Sequence, residues 1–132
     1  MQFYSSVFPD SKVGKLMRHG GAVMSASFEL AGQRFMGLNG GPHFSFTPAV
    51  SFFIDCETQD EVDELWAKLS AGGQTQQCGW LTDKFGLSWQ VIPTVLGELL
   101  QDPDPARAQR AMQAMLQMTK IDIAKLEQAY KG

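Results

Sequence analysis

Glu29 is the residue best suited by type to move a proton. It is a lone carboxylate within "AVMSASFELAG", where Met24, Ala26, Phe28 and Leu30 alternate with Ser25, Ser27 and Glu29. Enclosed in a pocket, it would be desolvated, its pKa would rise, and it would become a candidate general base. Left at the surface it is an ordinary solvated side chain. His43 sits in the Pro-flanked stretch "GPHFSFTPA" and His19 beside Gly20-Gly21, and both read as loop residues before catalysts. Cys56 and Cys78 form no CxxC pair and are expected to be reduced, partly buried thiols. The segment "CGWLTDKFGLSWQV" holds Trp80, Trp89 and a glutamine, Gln90, set among apolar residues. So much aromatic surface suits either a sheet's core or the floor of a binding cup. No GxGxxG follows a strand pattern, and neither GxSxG nor GK[ST] occurs.

The elements that would position these residues belong to one domain's worth of chain. At 132 residues it can bury roughly two-thirds of its unfolded surface. Hydrophobic residues at 44% and charged residues at 19% exclude a disordered chain. The net charge is −3 and Lys and Arg do not cluster, which argues against a nucleic-acid partner. The start "MQFYSSVFPD" has neither a basic segment nor an apolar one, and no apolar run approaches the ~20 residues of a membrane span. A cytoplasmic protein with no membrane partner is expected.

Phe3, Val7 and Phe8 fall at helical spacing until Pro9-Asp10, in a helix that starts without a cap. "SKVGKLMRHGG", "AVMSASFELAG" and "QRFMGLNGG" read as a three-strand meander, with Met36 and Leu38 on one side of the last strand and Phe35, Gly37 and Asn39 on the other. The connector Gly41 to Ala49 is the best internal boundary. "VSFFIDCE" follows, a strand with Ser51, Phe53 and Asp55 on one side and Val50, Phe52 and Ile54 on the other. Next come a helix capped by Thr58 or Asp60 and ended by Gly72-Gly73, then a hairpin of "QTQQCGWL" and "GLSWQVIP" closed through Asp83 to Gly86. Thr94, Asp104-Pro105 and Asp122 are expected to open three tail helices. The order is helix, strand, strand, strand before the connector and strand, helix, strand, strand after it. One strand placed ahead of Met1 would make both halves begin alike, as in a duplicated module.

"FYSSVFPDSKVG", "FMGLNGGPHF", "SFFIDCETQDEVDELWAKLSAGG", "CGWLTDKFGLSWQVIPTVLGELL" and "DPARAQRAMQAMLQM" together resemble the PhnB-like branch of the vicinal oxygen chelate superfamily, which includes glyoxalase I, bleomycin-resistance proteins and extradiol dioxygenases. The resemblance runs from about Phe3 to Tyr130. It implies an α+β fold of paired βαβββ modules, each curling a sheet around a cup, in a homodimer. Here the modules would be about 1–41 and 49–94 of a single domain, 1–132, with C-terminal helices over 95–131. The first strand of module one is missing, so either the chain is truncated or a partner supplies that strand.

Metal-dependent relatives carry ligands, mostly His and Glu, on the first and last strands of each module. The first of those positions falls in the missing strand, and the others offer Asn39, Ser51 and Gln90, a set without charge that transition metals do not favour. No metal and no cofactor are expected. If Gln90 faces the cup, Ser88 and Ile92 face it too and Trp89 and Val91 pack under helices. The same parity brings in Ser51, Phe53 and Asp55, with Phe35 and Asn39 opposite, Trp80 at the edge, and Ser25, Ser27 and Glu29 lining the cup as well. The stripe of Met112, Met115, Leu116 and Met118 is spaced for core or dimer packing. Two functions follow. One is a metal-free cup that binds a small organic molecule through Phe35, Asn39, Ser51, Phe53, Trp80 and Gln90. The alternative is an isomerase- or lyase-type enzyme with Glu29 as base and Asn39 and Gln90 polarising an oxygen, or one using a divalent metal. Proteins of this branch are at times labelled ubiquinone-pathway methyltransferases. Methyl transfer is not expected without a Gly-rich strand–helix junction.

Overall fold

The computed structural model describes residues 1–132, which divide into two compact units, Met1–Ser45 and Phe46–Gly132. The fold is α+β with two open sheets, one of three strands and one of four.

The first unit is built from helix α1 (Gln2–Val7) and strands β1 (Lys12–His19), β2 (Ala22–Leu30) and β3 (Gln33–Leu38), in sheet order β1-β2-β3. Alternation in β2 sets its sides: Ala26, Phe28 and Leu30 are buried, along with Val7 of the helix that packs on this strand. The Ala31-Gly32 turn pairs Leu30 with Gln33, Phe28 with Phe35 and Ala26 with Gly37. β1 is exposed along its whole length and irregular in register. Ser27 accepts a hydrogen bond from the Lys15 N–H at 2.9 Å.

The second unit contains β4 (Ser51–Cys56), α2 (Gln59–Ser70), β5 (Gln74–Thr75), β6 (Trp80–Thr82), β7 (Ser88–Pro93), α3 (Thr94–Leu100), α4 (Pro105–Leu116) and α5 (Ile123–Lys131), with sheet order β4-β7-β6-β5. β4 runs parallel to β7, and the other pairs are antiparallel. Thr58 is the cap of α2, accepting from the Glu61 N–H at 3.2 Å, while Glu61 accepts from the Glu57 N–H at 2.6 Å. "QTQQCGWL" is not one strand. Cys78 and Gly79 both take positive φ, at 59° and 81°, so the chain reverses and β5 pairs back onto β6. Thr94 does not cap its helix. It is the first helical residue, and its hydroxyl donates to the Cys56 carbonyl at 3.3 Å. Asp104 and Asp122 do cap α4 and α5.

One side of this sheet presents Cys56, Leu81, Trp89 and Val91, all buried, and α2 packs against the sheet with Val62 and Leu69 fully buried. Trp89 meets Phe52 edge-on at 5.2 Å between ring centroids and donates its indole N–H to Asp83 at 2.9 Å. Burial first, then Glu61 and Asp55, push the Cys56 thiol up to about 11, in keeping with a packing residue. Ile92 belongs to a separate cluster with Leu96 of α3, Ile121 of the α4–α5 link and Leu126 of α5.

Those helices are stitched to the sheet at two places. Cys78 and Gly79 donate backbone hydrogen bonds to Met118 and Thr119 at 2.8 Å each. At the start of α2, the Gln59 amide donates to the Ile121 carbonyl and accepts from the Ile123 N–H, and Asp63 pairs with Lys120 at 2.7 Å. Lys120 and then Gln59 hold the Asp63 carboxyl below its ordinary 3.8, and a hydrogen bond from Tyr130 does the same for Asp102. A carboxylate whose folded pKa is depressed stabilises the fold above its unfolded pKa and loses that contribution as pH falls through the folded value. The helices should therefore loosen only below about pH 4. Hydrogen-exchange protection factors in α4 and α5, corrected for the intrinsic rate, should be constant from about pH 7 to 5 and fall only below about pH 4; Asp63→Asn should remove part of that fall.

Candidate functional site

Four of the residues expected in the cup come together on one side of the second sheet. Gln90 is in register with Phe53 on β4 and with Trp80 on β6, so Phe53, Gln90 and Trp80 form a row across three strands. Ser51 stands on the same side, and the Gln90 Nε2 donates to its Oγ at 2.9 Å. Phe53 is 56% exposed, while Ser51, Gln90 and Trp80 are half-buried. Asp55 shares this side and is exposed. The side is bounded by apolar packing: Ser88 is buried and Ile92 lies under the C-terminal helices, so neither is open to a ligand. The resulting surface pairs two aromatic faces with an amide and a hydroxyl, which can stack on and hydrogen-bond a small organic molecule.

The remaining candidates lie in the first unit, and its register separates them. Residues directly opposite one another in an antiparallel pair share a side. Phe35 therefore stands with Phe28, against which it stacks at 5.5 Å between centroids, and Asn39 falls on that side too. The Asn39 side chain donates to the Val23 carbonyl at 2.7 Å, which ties it to β2. Glu29 occupies the other side, with Lys12 and Arg34 as its cross-strand neighbours. It borders an open cleft of about 680 Å³ with Asp10, Ser11 and Lys12. The grouping of Glu29 with Phe35 and Asn39 on one lining is thus corrected: pairing across the two-residue turn sets them on opposite sides. A base acting with Asn39 on one substrate has no support in this geometry.

His19 and His43 are exposed. No group of three or more His, Cys, Asp or Glu side chains is placed to hold a metal ion, and Asn39, Ser51 and Gln90 offer amide and hydroxyl oxygens in its stead. The residues present do not fit the metal centre of metal-dependent relatives. No helix is long and apolar enough to cross a membrane.

Asp83, which the sequence marks only as the start of the hairpin's closing turn, has a larger part in the structure. It is buried, and its carboxylate accepts from the Phe85 N–H at 2.8 Å, the Leu87 N–H at 3.1 Å and the Trp89 indole. The signal was an Asp opening a tight turn that ends in Gly86, the arrangement in which the side chain bonds the backbone ahead of it. Trp89 is core and Trp80 belongs to the open row, so the two tryptophans of one hairpin have different duties.

Residues 1–92 match the family model described as 3-demethylubiquinone-9 3-methyltransferase. The PhnB protein of Bacillus cereus is similar in structure, with 36% identity over 68% of this chain and 84% of that one and a TM-score of 0.64. Protein PA1353 from Pseudomonas aeruginosa matches at 21% identity over 51% of this chain and 59% of its own, with a TM-score of 0.43. No curated protein matches. With most of its length matched by the family model and by the Bacillus cereus structure, the chain belongs to the PhnB-like family described as 3-demethylubiquinone-9 3-methyltransferase.

Proposed function

We propose that the chain binds a small organic molecule, without a metal ion, on the open side of its second sheet. The observation that carries this is the row of Phe53, Gln90 and Trp80 with Ser51 hydrogen-bonded beside it. Apolar surface with a few polar groups that fix orientation is the usual composition of a ligand site. Methyl transfer from a nucleotide-bearing donor finds no cradle at either strand–helix junction. β4 passes through Glu57 and the Thr58 cap into α2, and β7 runs directly from Pro93 into α3. A thermal-shift screen of diverse small molecules tests binding. A ligand at 100 times its Kd should stabilise the protein by about 2.7 kcal/mol, and a screen in which nothing raises the melting temperature would sink the proposal.

A two-fold homodimer that covers the edge of β3 belongs to the same proposal. The Asn39 N–H bonds Met24 at 2.9 Å, so alternation along the ladder turns the peptide groups of Met36 and Leu38 away from β2. Those two residues are also 79% and 71% exposed. Open edges carrying apolar side chains recruit another chain, and most homo-oligomers are two-fold. The interface should bury more than about 1,000 Å². Light scattering at micromolar concentration should give twice the chain mass; a stable monomer refutes the dimer.

A further inference from the structure

We infer that the ligand is an uncharged, planar ring carrying hydrogen-bond acceptor oxygens, laid across Phe53, Gln90 and Trp80; this rests on the binding proposal above. Adjacent strands lie about 4.8 Å apart, so the two aromatic residues that flank Gln90 stand roughly 10 Å from each other. A flat ring can contact both aromatic faces while its edge reaches the amide between them, whereas a puckered aliphatic ring of the same size cannot lie flush on either.

The polar groups set the ligand's complement. Ser51 accepts from Gln90, which leaves its own O–H to donate. Gln90 keeps a second N–H, and the Trp80 indole N–H makes no hydrogen bond within the protein. The row therefore offers three donors against two acceptors, the Gln90 Oε1 and the remaining lone pair of the Ser51 Oγ. None of the four residues is charged, and Asp55 lies two positions along β4 from Phe53 on the same side. A carboxylate or phosphate would find no counter-charge among these four residues and would lie on the side that carries Asp55. Carbonyl oxygens on an aromatic ring meet every requirement: planarity, acceptor chemistry and neutrality.

Nitrogen-15 NMR on the full chain tests this with four probes: acetophenone and benzamide (planar, neutral), benzoate (planar, anionic) and cyclohexyl methyl ketone (neutral, non-planar). The chain has three tryptophans, and the Trp80 indole signal is the one lost in Trp80→Phe. Acetophenone and benzamide should move the Trp80 indole and the Gln90 side-chain amide, with apparent Kd at least fivefold below those of the other two probes. Gln90→Glu, which puts a carboxylate in the row, should weaken acetophenone at least fivefold; if that variant does not fold, the four-probe comparison on the unaltered chain still decides. Equal binding of benzoate or of the cyclohexyl ketone overturns the planar, neutral ligand and leaves the site standing. If no probe moves either signal, the site itself is refuted.

Discussion

Gly79→Ala should lower the melting temperature by on the order of 10 °C, because two costs fall on one position. Gly79 has φ 81°, a conformation that costs a residue with a side chain about 1–3 kcal/mol. An added Cβ would also stand 2.7 Å from Ile92 Cδ1, 2.9 Å from the Val91 carbonyl oxygen and 3.1 Å from Ile121 Cγ1. Overpacking of this kind costs about 1–3 kcal/mol more. The clash falls where the hairpin, β7 and the C-terminal segment meet, so relief requires the Val91 backbone and the Ile92 side chain to shift against the cluster that Ile92 shares with Leu96, Ile121 and Leu126. Gly86 is the control: its φ is 86°, but no atom lies within 4 Å of an added Cβ. Gly86→Ala should cost only the conformational part, about 1–3 kcal/mol, without the packing part. Thermal unfolding of both variants decides the matter, and equal losses would show that packing at Gly79 contributes nothing.

The second large effect belongs to Asp83. Asp83→Ala should cost about 3–5 kcal/mol, since it leaves the Leu87 N–H and the Trp89 indole N–H without an acceptor in a buried setting. Asp83→Asn separates shape from charge. Its carbonyl can still serve the turn's backbone, but its NH₂ group then faces the indole N–H, donor against donor, for an expected loss of about 1–3 kcal/mol. Trp89→Phe adds a third arm: in that background Asp83→Asn should cost less than in the parent, because the two residues share one hydrogen bond. Denaturant unfolding of the four proteins gives the coupling, and additive losses would exclude a Trp89–Asp83 interaction.

What the sequence shows and what it hides separate by the kind of order involved. The side of the second sheet was legible because strict alternation in "VSFFIDCE" and "GLSWQVIP" fixes which residues travel together, and parallel pairing of β4 with β7 keeps Ser51, Phe53 and Gln90 on one side. In the first unit each strand's alternation is equally clear, but alternation within a strand does not relate it to the next; the turn does. Counting outward from Ala31-Gly32 places Phe35 opposite Phe28 and Asn39 opposite Met24, which separates both from Glu29. The fate of Ile92 was hidden for a different reason. Its parity is that of Gln90, yet α3 to α5 cover it, and no local pattern announces where a tail helix will dock. The reversal at Cys78 was likewise masked, since a non-glycine residue at positive φ leaves no mark in composition.

The clamp made by Gln59 also dictates when during synthesis this unit can be finished. Its bonds to Ile121 and Ile123 join residues 62 and 64 positions apart, and Asp63 reaches Lys120 over a similar distance. Closing so long a loop is entropically uphill until both ends are present and the contacts form. On the ribosome α2 can form with its Thr58 cap in place, but its Gln59 side chain must wait for Ile121 and Ile123 before it finds its partners. A chain cut or stalled before Lys120 would leave Ile92 and Leu96 without Ile121 and Leu126, holding out apolar surface at the stage when nascent chains are most prone to associate.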